Sequence, residues 1–408
     1  MYAEVILAAL AVVLLAEAIW SHYSLSKAVR RPKRTAPLEH YPPVTVIRPI
    51  RGLDAGVEQN IEHALDHGYP GSVQTLFVFD DASEPALPLV RSAIAQRQRD
   101  TPEVDAEIVF CGAPPAGRTG KLNAMIVGLR RARGEVIVFA DSDIRPSKNA
   151  LTDLVTTLLT DDKTGAAFAP VVVTSEPLTL GDAGYAIMLN GLYGPVAEQT
   201  SQSLGGTLPF IMGQFMAWRR ETLRAIDGLE SAEGQLVDDM YLGARVHAVG
   251  LKNRLAPTAV PIVQYGLSFA EFIKVYLRWI TFSRSGLPGR EFKLASWVRG
   301  AVFWLGLVGG MIAALAGLWI QSMAGLLAAA AIAVSINLLH QRVGGGRLRG
   351  HLHLASFLVL LSAPLIILAA LTKRKLSWRG RTYTLGSDAR LAEGQALQPS
   401  HRRGGLQH

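Results

Sequence analysis

Three pairs of aspartates are the residues of this 408-residue chain whose type and spacing best suit chemistry. They stand in the segments FDDASEPA, FADSDIRP and GQLVDDMYLGARV as Asp80 and Asp81, Asp141 and Asp143, and Asp238 and Asp239. Carboxylate oxygens are the ligands that a hard divalent cation such as Mg²⁺ or Mn²⁺ prefers, and such a cation would neutralise a diphosphate. A D-x-D alone could also form a solvated turn.

The third pair has two interpretations. Acidic residues favour the first turn of a helix, and YLGARVHAVG, which follows, has a helical pattern. A carboxylate fixed at a helix start beside a crevice could also serve as a general base. Both interpretations of Asp238 and Asp239 are compatible with the sequence.

A lysine opens another predicted helix. Gly120, Lys121 and Asn123 stand in RTGKLNA. Helix N-termini with a nearby lysine favour anionic groups, although the glycine spacing is not that of a phosphate-binding P-loop. The segment predicts a contact with a sugar or diphosphate, and a solvated lysine is the alternative.

Five apolar segments alternate with helical patterns between residues 44 and 173. They read as strands at 44–50, 74–80, 106–110, 135–140 and 166–173. Such continuous apolar strands predict an α/β fold with a parallel sheet covered on both faces, whose ligands bind at the carboxyl ends of the strands. The first two aspartate pairs follow the second and fourth strands, so we expect them to share one crevice. Asp54 is predicted to cap the helix at 56–68.

The apolar residues, 49% of the chain, concentrate at 2–20 and beyond Trp297. This distribution predicts membrane spans at both ends of the chain. The net charge is +8, and many cations flank these segments, including Lys27, Arg30, Arg31, Lys33, Arg34, Lys373, Arg374 and Lys375. Their placement suits anionic lipid headgroups, and no arginine-rich nucleic-acid module is recognisable. We therefore expect membrane lipids and no nucleic acid as partners.

The flanking charges predict the orientation of the first span, with the N-terminus outside and the residues from Lys27 inside. Because the cations come after the first apolar segment, a signal anchor is favoured over a cleaved signal peptide. The single cysteine, Cys111, excludes an intrachain disulfide and fits a reducing cytoplasm.

Three further segments, 299–320, 323–339 and 352–371, are apolar enough to span. The basic residues after the second and third of them should both lie inside, but one anchor plus three crossings would leave the tail outside. We therefore expect an inside tail and one incomplete span, for which Pro364 and the short 323–339 segment make two candidates. The helical pattern at 268–284 predicts a helix that packs in a core or lies at the membrane interface.

The order of these motifs resembles the inverting glycosyltransferases of families 2 and 21, and most closely their ceramide glucosyltransferase branch, which includes bacterial enzymes acting on hopanoids. The matching segments are VIRPIRGLD, EPA, GKLN, ADSDIR, GQFMAWRRETL, VDDMYLGARV and YLRW, over roughly residues 40–290. The resemblance implies a GT-A fold, that is, a Rossmann-like parallel or mixed sheet with helices on both faces, with transmembrane helices at both termini. It divides the chain into an anchor (1–24), a catalytic domain (40–265), an interfacial helix (266–292), transmembrane segments (297–372) and a basic, partly disordered tail (373–408).

The resemblance also implies roles for the donor-side residues. Asp81 matches the aspartate that contacts the uridine part of the donor, with Asp80 as the alternative. Lys121 and Asn123 match donor-binding positions. Asp141 and Asp143 match the motif that holds the metal, Mg²⁺ or Mn²⁺, and the diphosphate.

Its implied catalytic group is Asp239 with Asp238, Arg278 and Trp279. Asp239 matches the base, and Asp238 stands where the family often has glutamate. Arg278 and Trp279 match the end of a Q/R-x-x-R-W motif whose first position is Val275 here, with Lys274 one residue earlier.

The expected function is transfer of a hexose, of glucose or N-acetylglucosamine type, from a UDP-sugar to a lipid hydroxyl of a ceramide-like or hopanoid-like acceptor. The expected location is a bacterial inner membrane with the catalytic domain in the cytoplasm. A processive polysaccharide synthase shares the aspartates but usually carries more spans. A non-catalytic membrane scaffold is the third possibility.

Overall fold

The computed structural model describes residues 2–29, 36–285, 290–386, 390–392 and 398–399. The cations at 30–34 and the end of the tail, predicted to be disordered, lie outside the described residues. The fold therefore comprises a globular domain, a group of long apolar helices, and the start of the tail.

The globular domain is built on a mixed eight-stranded sheet in the order β3-β2-β1-β4-β8-β5-β9-β7. The strands are β1 Val44–Pro49, β2 Val73–Phe79, β3 Asp105–Phe110, β4 Val136–Ala140, β5 Thr164–Phe168, β6 Val171–Val173, β7 Thr207–Leu208, β8 Phe215–Arg219, β9 Lys252–Leu255 and β10 Val260–Ile262. β6 and β10 form a separate parallel pair. The tail adds β11 Lys375–Trp378, β12 Arg381–Thr384 and β13 Gln398–Pro399 as a small antiparallel sheet.

Thirteen α-helices occur in the described residues. They are α1 Tyr2–Ala28, α2 Val57–Leu65, α3 Leu87–Asp100, α4 Gly120–Arg131, α5 Ala150–Leu159, α6 Leu180–Ile187, α7 Gly194–Ser203, α8 Arg220–Ala225, α9 Asp238–Ala248, α10 Phe269–Phe282, α11 Arg290–Leu315, α12 Trp319–Arg342 and α13 Ala355–Thr372. A π-helix, Met188–Tyr193, joins α6 to α7.

The sheet confirms the first four predicted strands and corrects the fifth. β1, β2, β3 and β4 are parallel, and β1, β2 and β4 carry buried side chains on both faces. The predicted strand at 166–173 is two strands, β5 and β6, separated at Pro170, which has no N–H for a sheet ladder. β8 enters antiparallel between β4 and β5, which makes the sheet mixed.

Four described helices are long and apolar enough to cross a membrane: Glu4–Ala28, Phe292–Leu315, Trp319–Arg342 and Gly350–Thr372. α12 runs for 24 residues, so the expectation of a short span at 323–339 is wrong. α1, α11 and α12 form a bundle in which Gly306 and Gly325 bring the backbones of α11 and α12 close together. Close approach through small residues is typical of helices packed in membranes.

α10 begins with a capping box, in which Ser268 accepts from the Glu271 amide and the Glu271 side chain accepts from the Ser268 amide. This confirms the predicted helix at 268–284. Its apolar face packs with α6 and α13 through Phe272, Val275 and Tyr276. The helix thus lies between the globular domain and the apolar helices.

Candidate active site

A cavity of about 340 Å³ opens at the carboxyl ends of β1, β2 and β4. Its charged lining consists of Arg51, Asp54, Asp80, Lys121, Asp141, Asp143, Asp238, Asp239, Arg278, Lys293, Arg379 and Arg381. Its apolar lining includes residues of α10 and the first turns of α11. The cavity thus joins the ends of the strands to the apolar helices.

Asp141 and Asp143 follow β4 directly, and both line the cavity. Asp143 Oδ1 is buried without a hydrogen-bond partner. Burial, together with the carboxylates of Asp54 and Asp141, raises the pKa of Asp143 to about 6. A buried oxygen with this excess of negative charge suits a cation.

A metal at this point would need ligands from outside the chain as well. Among the described residues, no group of three or more His, Cys, Asp or Glu side chains could hold a metal by itself. Mg²⁺ is commonly bound by one or two carboxylates plus the phosphates of a substrate. Asp143 with Asp141 therefore fits a cation that arrives with a diphosphate.

Lys121 lies in the first turn of α4, whose N-cap Thr119 accepts from the Leu122 amide. Its Nζ lies 2.5 Å from Asp141 Oδ1 and donates to the Gly213 carbonyl at 3.0 Å. Burial alone would lower the pKa of Lys121, but Asp141, Asp238 and Asp239 outweigh it and raise the pKa. The lysine is therefore a permanent cation inside the cavity and not a solvated surface residue.

Asp239 is held by two backbone amides. Its Oδ2 accepts from the Gly213 amide at 2.6 Å and its Oδ1 from the Met240 amide at 2.8 Å. Gly213 has no room for a Cβ, which would collide with the Asp239 carboxylate. Burial and the neighbouring Asp238 raise the pKa of Asp239 to about 7. A fixed carboxylate with a pKa near neutrality has the properties of a general base.

Asp238 and Asp239 both lie in the first turn of α9, as the capping interpretation expects. No side chain caps that helix at Val237, and Asp238 Oδ2 is buried without a partner. Asp238 and Asp239 therefore lie both at the start of a helix and in the cavity, so the two interpretations are compatible.

The first aspartate pair is divided by the alternation of side chains at the end of β2. Asp80 is 9% exposed, lines the cavity and pairs with Arg51 and Arg381. Asp81 is exposed outside the cavity, and its Oδ1 accepts from the amide and hydroxyl of Ser83. The placement thus favours Asp80, the alternative position, over Asp81.

The tail contributes two arginines that sequence reasoning did not assign to the site. β11 and β12 are joined by the two-residue turn Arg379–Gly380, in which both residues have positive φ, 48° and 72°. This is the conformation of a type I′ hairpin turn, and a non-glycine residue there is strained. Arg379 pairs with Asp54 and lies 4.0 Å from Asp143, while Arg381 pairs with Asp80.

Two hydrogen bonds from arginine side chains to backbone carbonyls also hold the hairpin in place. Arg51 Nε donates to the Arg379 carbonyl at 2.7 Å, and Arg379 Nη1 donates to the Arg51 carbonyl at 3.3 Å. Asp54, predicted to cap α2, accepts instead from Ser142 and Arg379, and the N-cap residue is Gly56 without a side-chain bond. The capping prediction is wrong because the Asp54 carboxylate lies in the cavity.

Arg278 and Trp279 both line the cavity, as does the buried Val275. Burial lowers the pKa of Arg278 to about 10, although the nearby Tyr185 opposes this shift. Trp279 contacts Tyr185 and Tyr193 at ring-centroid distances of 6.3 and 5.7 Å. Lys274 is exposed and outside the lining, so it does not replace the missing first residue of the R-W motif.

Asn123 is the predicted site residue with the clearest structural role. It is buried outside the cavity lining, and its Nδ2 lies 3.3 and 3.4 Å from the carbonyls of Cys111 and Gly112. It therefore joins α4 to the end of β3.

A mixed sheet with aspartates at its carboxyl ends is the arrangement expected of a GT-A glycosyltransferase fold. The structure is similar to the mannosyltransferase PcManGT from Pyrobaculum calidifontis in complex with GDP-Man and Mn²⁺, with a TM-score of 0.53 and 20% identity over 87% of this chain and 99% of that one. This likeness confirms the predicted fold.

The chain belongs to glycosyl transferase family 21, whose family model matches residues 5–391. It is 24% identical over 249 residues to ceramide glucosyltransferase 3 of Caenorhabditis elegans, a match that covers 60% of this chain and 52% of the relative. It is 23% identical over 248 residues to the probable glycosyltransferase YdaM of Bacillus subtilis, covering 61% and 57%. The chain thus spans about half the length of these curated relatives. The predicted resemblance is confirmed, and with the four apolar helices it indicates a membrane protein.

Proposed function

We propose that the chain transfers a hexose from a UDP-sugar to the hydroxyl group of a membrane lipid, with inversion at the anomeric carbon. One observation carries the proposal: a single cavity joins the charged ends of β1, β2 and β4 to the apolar residues of α10 and α11. The charged end suits a nucleotide sugar, and the apolar residues suit a lipid. We further propose a bacterial inner membrane with the catalytic domain in the cytoplasm.

The donor would bind at the charged end. When bound, a divalent cation held by Asp143 with Asp141 would neutralise the diphosphate and stabilise the leaving group. Arg51, Arg379 and Arg381 supply guanidinium groups, which suit phosphate oxygens. In the structure their charges are compensated by Asp54, Asp80 and Glu84.

The reaction is a direct displacement. The oxygen of the lipid hydroxyl attacks the anomeric carbon, and Asp239 accepts its proton. The bond between that carbon and the diphosphate oxygen breaks, and its electron pair leaves with UDP. Positioning and charge stabilisation should provide most of the acceleration, and the base about 10²–10⁴-fold of it.

The acceptor would enter between α10 and α11. Tyr193 packs against Trp279 and stacks on Phe292, with ring centroids 6.4 Å apart in the latter pair. Trp297, 55% exposed on α11, marks the outer end of the lining. These rings form an apolar passage toward the bilayer.

The pH dependence of transfer should follow Asp239. Its pKa of about 7 means that the base is protonated at lower pH, so kcat/KM should fall about tenfold per pH unit below 7 and level off above it. Below about 6 protonation of Asp143 should steepen the fall. The measurement is transfer from UDP-sugar between pH 5 and 8.5, with UDP binding at each pH as the control. A flat profile over this range would contradict the base assignment.

The two neighbouring aspartates at the end of β2 provide a matched pair. Asp80→Asn removes a carboxylate that holds Arg51 and Arg381 at the donor end, so we expect the donor KM to rise about tenfold or more. Asp81→Asn changes an exposed turn and should leave the donor KM within about twofold. Steady-state kinetics of both variants show which of the two aspartates supports donor binding. A larger rise in the donor KM for Asp81→Asn would assign that role to Asp81.

The hairpin arginine should also be needed for donor binding. Arg379→Ala removes a charged group beside Asp54 and Asp143, and we expect a 10- to 100-fold rise in the donor KM, roughly 1.5–3 kcal/mol. Arg374→Ala, at an exposed residue outside the cavity, is the control for loss of tail charge. Equal effects of the two substitutions would mean that charge, and not position, matters.

The test of the function is to incubate the purified protein with labelled UDP-glucose, UDP-N-acetylglucosamine or GDP-mannose and a total lipid extract. We expect the label from a UDP-sugar in the lipid phase. Label in a water-soluble polymer would favour a polysaccharide synthase. No transfer from any donor would favour a scaffold.

A further inference from the structure

Both flanks of α13 are bonded to the globular domain. Before the helix, the Gly346 amide donates to the Val173 carbonyl at 3.3 Å, and Arg349 pairs with Glu176 at 2.7 Å. After it, the hairpin carries Arg379 and Arg381 into the cavity, where they pair with Asp54 and Asp80. The chain therefore leaves the domain and returns to it across α13.

A crossing helix cannot have both flanks there. The 18 residues of α13 extend about 27 Å at 1.5 Å per residue, close to the roughly 30 Å of a hydrocarbon core. If α13 crossed, the hairpin would emerge on the membrane face away from the cavity.

Contacts between α1 and α12 show the arrangement expected of helices that cross the membrane. At one end of α12, the Gln321 side chain donates to the Glu4 carbonyl of α1 at 3.4 Å. At the other end, Arg342 donates to the Ser26 carbonyl at 2.8 Å, beside α7 of the globular domain. The two helices are therefore parallel, and each connects the domain to the opposite end of the bundle.

α13 instead packs along α10, the helix between the globular domain and the bundle. Val359 and Ile366 pack in one cluster with Phe272 and Tyr276 of α10. Arg284, just after α10, donates to the Ala370 and Lys373 carbonyls at 3.0 and 2.7 Å. The end of α13 is therefore fixed at the end of α10.

A proline inside α13 is matched by a donor from the bundle. Pro364 has no N–H, so the carbonyl of Leu360, four residues earlier, loses its helical partner. The Trp304 indole Nε1 of α11 donates to that carbonyl at 3.0 Å. Because a carbonyl without a partner is costly in lipid, this bond suits a helix held at a defined place beside the bundle.

The outer face of α13 is apolar and uncovered by protein. Leu361, Leu365, Leu368 and Leu371 recur at helical spacing and are 37–72% exposed. No charged residue occurs within the helix. Basic residues stand on both sides of it, Arg347 and Arg349 before and Lys373, Arg374 and Lys375 after, which suits one anionic headgroup layer.

We propose that α13 does not cross the membrane but enters and leaves the leaflet nearest the globular domain, with acyl chains covering its leucine face. Because both flanks stay on the domain's side, the tail can deliver Arg379 and Arg381 to the cavity. The proposal concerns placement alone and stands whether or not the chain transfers a sugar.

Cysteine labelling tests the proposal in the full chain. In a Cys111→Ser background, Arg347→Cys and Ser377→Cys stand before and after α13, and both positions are exposed. Asp162→Cys marks the domain side, and Ala316→Cys marks the opposite end of the bundle. Each variant is treated with a membrane-impermeant maleimide in intact spheroplasts and in inverted vesicles.

We expect Arg347→Cys and Ser377→Cys to react in the same preparation as Asp162→Cys, and Ala316→Cys in the other. Reaction of Ser377→Cys together with Ala316→Cys would mean that α13 crosses and would overturn the proposal. An epitope tag after His408 gives a second reading by protease protection, independent of thiol reactivity. Its cleavage on the Ala316 side would overturn the proposal equally.

Discussion

Asp239→Asn is expected to slow sugar transfer about 10²- to 10⁴-fold while donor binding changes little. The reason is that asparagine cannot accept the proton of the attacking hydroxyl. Asp239 is the buried carboxylate held by the Gly213 and Met240 amides, with a pKa raised to about 7 by burial and Asp238. The measurement is single-turnover transfer at saturating UDP-sugar, together with UDP affinity by calorimetry.

Asp238→Asn is the matched control for this substitution. It removes a carboxylate from the same helical turn whose Oδ1 accepts from the Asp239 amide and whose Oδ2 has no partner. We expect a smaller loss, because Asp238 acts on Asp239 chiefly through its charge. Transfer by Asp239→Asn within tenfold of the wild-type rate would remove Asp239 as the base.

Asp143→Asn is expected to lower transfer about 10²-fold and to raise the divalent-cation concentration that gives half the maximal rate. Asp143 offers a buried, unpartnered Oδ1, and burial together with the carboxylates of Asp54 and Asp141 raises its pKa to about 6. Titrations with Mg²⁺ and Mn²⁺ measure both effects. An unchanged cation requirement would contradict the metal assignment.

The same substitution should not unfold the protein. A carboxyl whose pKa is raised in the folded state destabilises that state progressively as the pH rises above its ordinary pKa of about 4, and here the loss is complete above about pH 6. A neutral asparagine avoids this cost, so the melting temperature at pH 7.5 should be no lower than that of the wild type. Asp141→Asn is the companion variant, and its effect on the cation requirement should be smaller because Lys121 already neutralises Asp141.

The parts of the site that lie near their strands in sequence could be predicted. β4 is a continuous apolar run, so Asp141 and Asp143 had to follow it at the edge of the sheet. The sequence located Asp80 and Asp81 at the end of β2, but it did not show which of the two side chains faces the cavity. That choice depends on the direction of the last side chain of the strand, which the apolar pattern alone does not give.

The antiparallel strand β8 could not be read from the apolar pattern. FMAWR is only five residues long, and its place between β4 and β5 depends on pairing with strands distant in sequence. The π-helix at 188–193 likewise left no mark in the sequence.

The tail arginines were the largest omission. Arg379 lies 325 residues from its partner Asp54 in the sequence, and Arg381 lies 301 residues from its partner Asp80. In the sequence these arginines belong to the basic segment that follows an apolar helix, and such segments commonly flank membrane helices. Only the path of α13 brings them to the cavity, and hydropathy cannot show whether an apolar helix crosses a bilayer or returns.

The anomeric configuration of the product distinguishes direct displacement from its alternatives. Wild-type protein and Asp239→Asn are incubated with α-linked UDP-glucose and the lipid extract, and the lipid product is identified by mass and its anomeric configuration by proton NMR. We expect a β-linked hexosyl lipid from the wild type and almost none from the variant. An α-linked product, or equal product from both proteins, would contradict direct displacement assisted by Asp239.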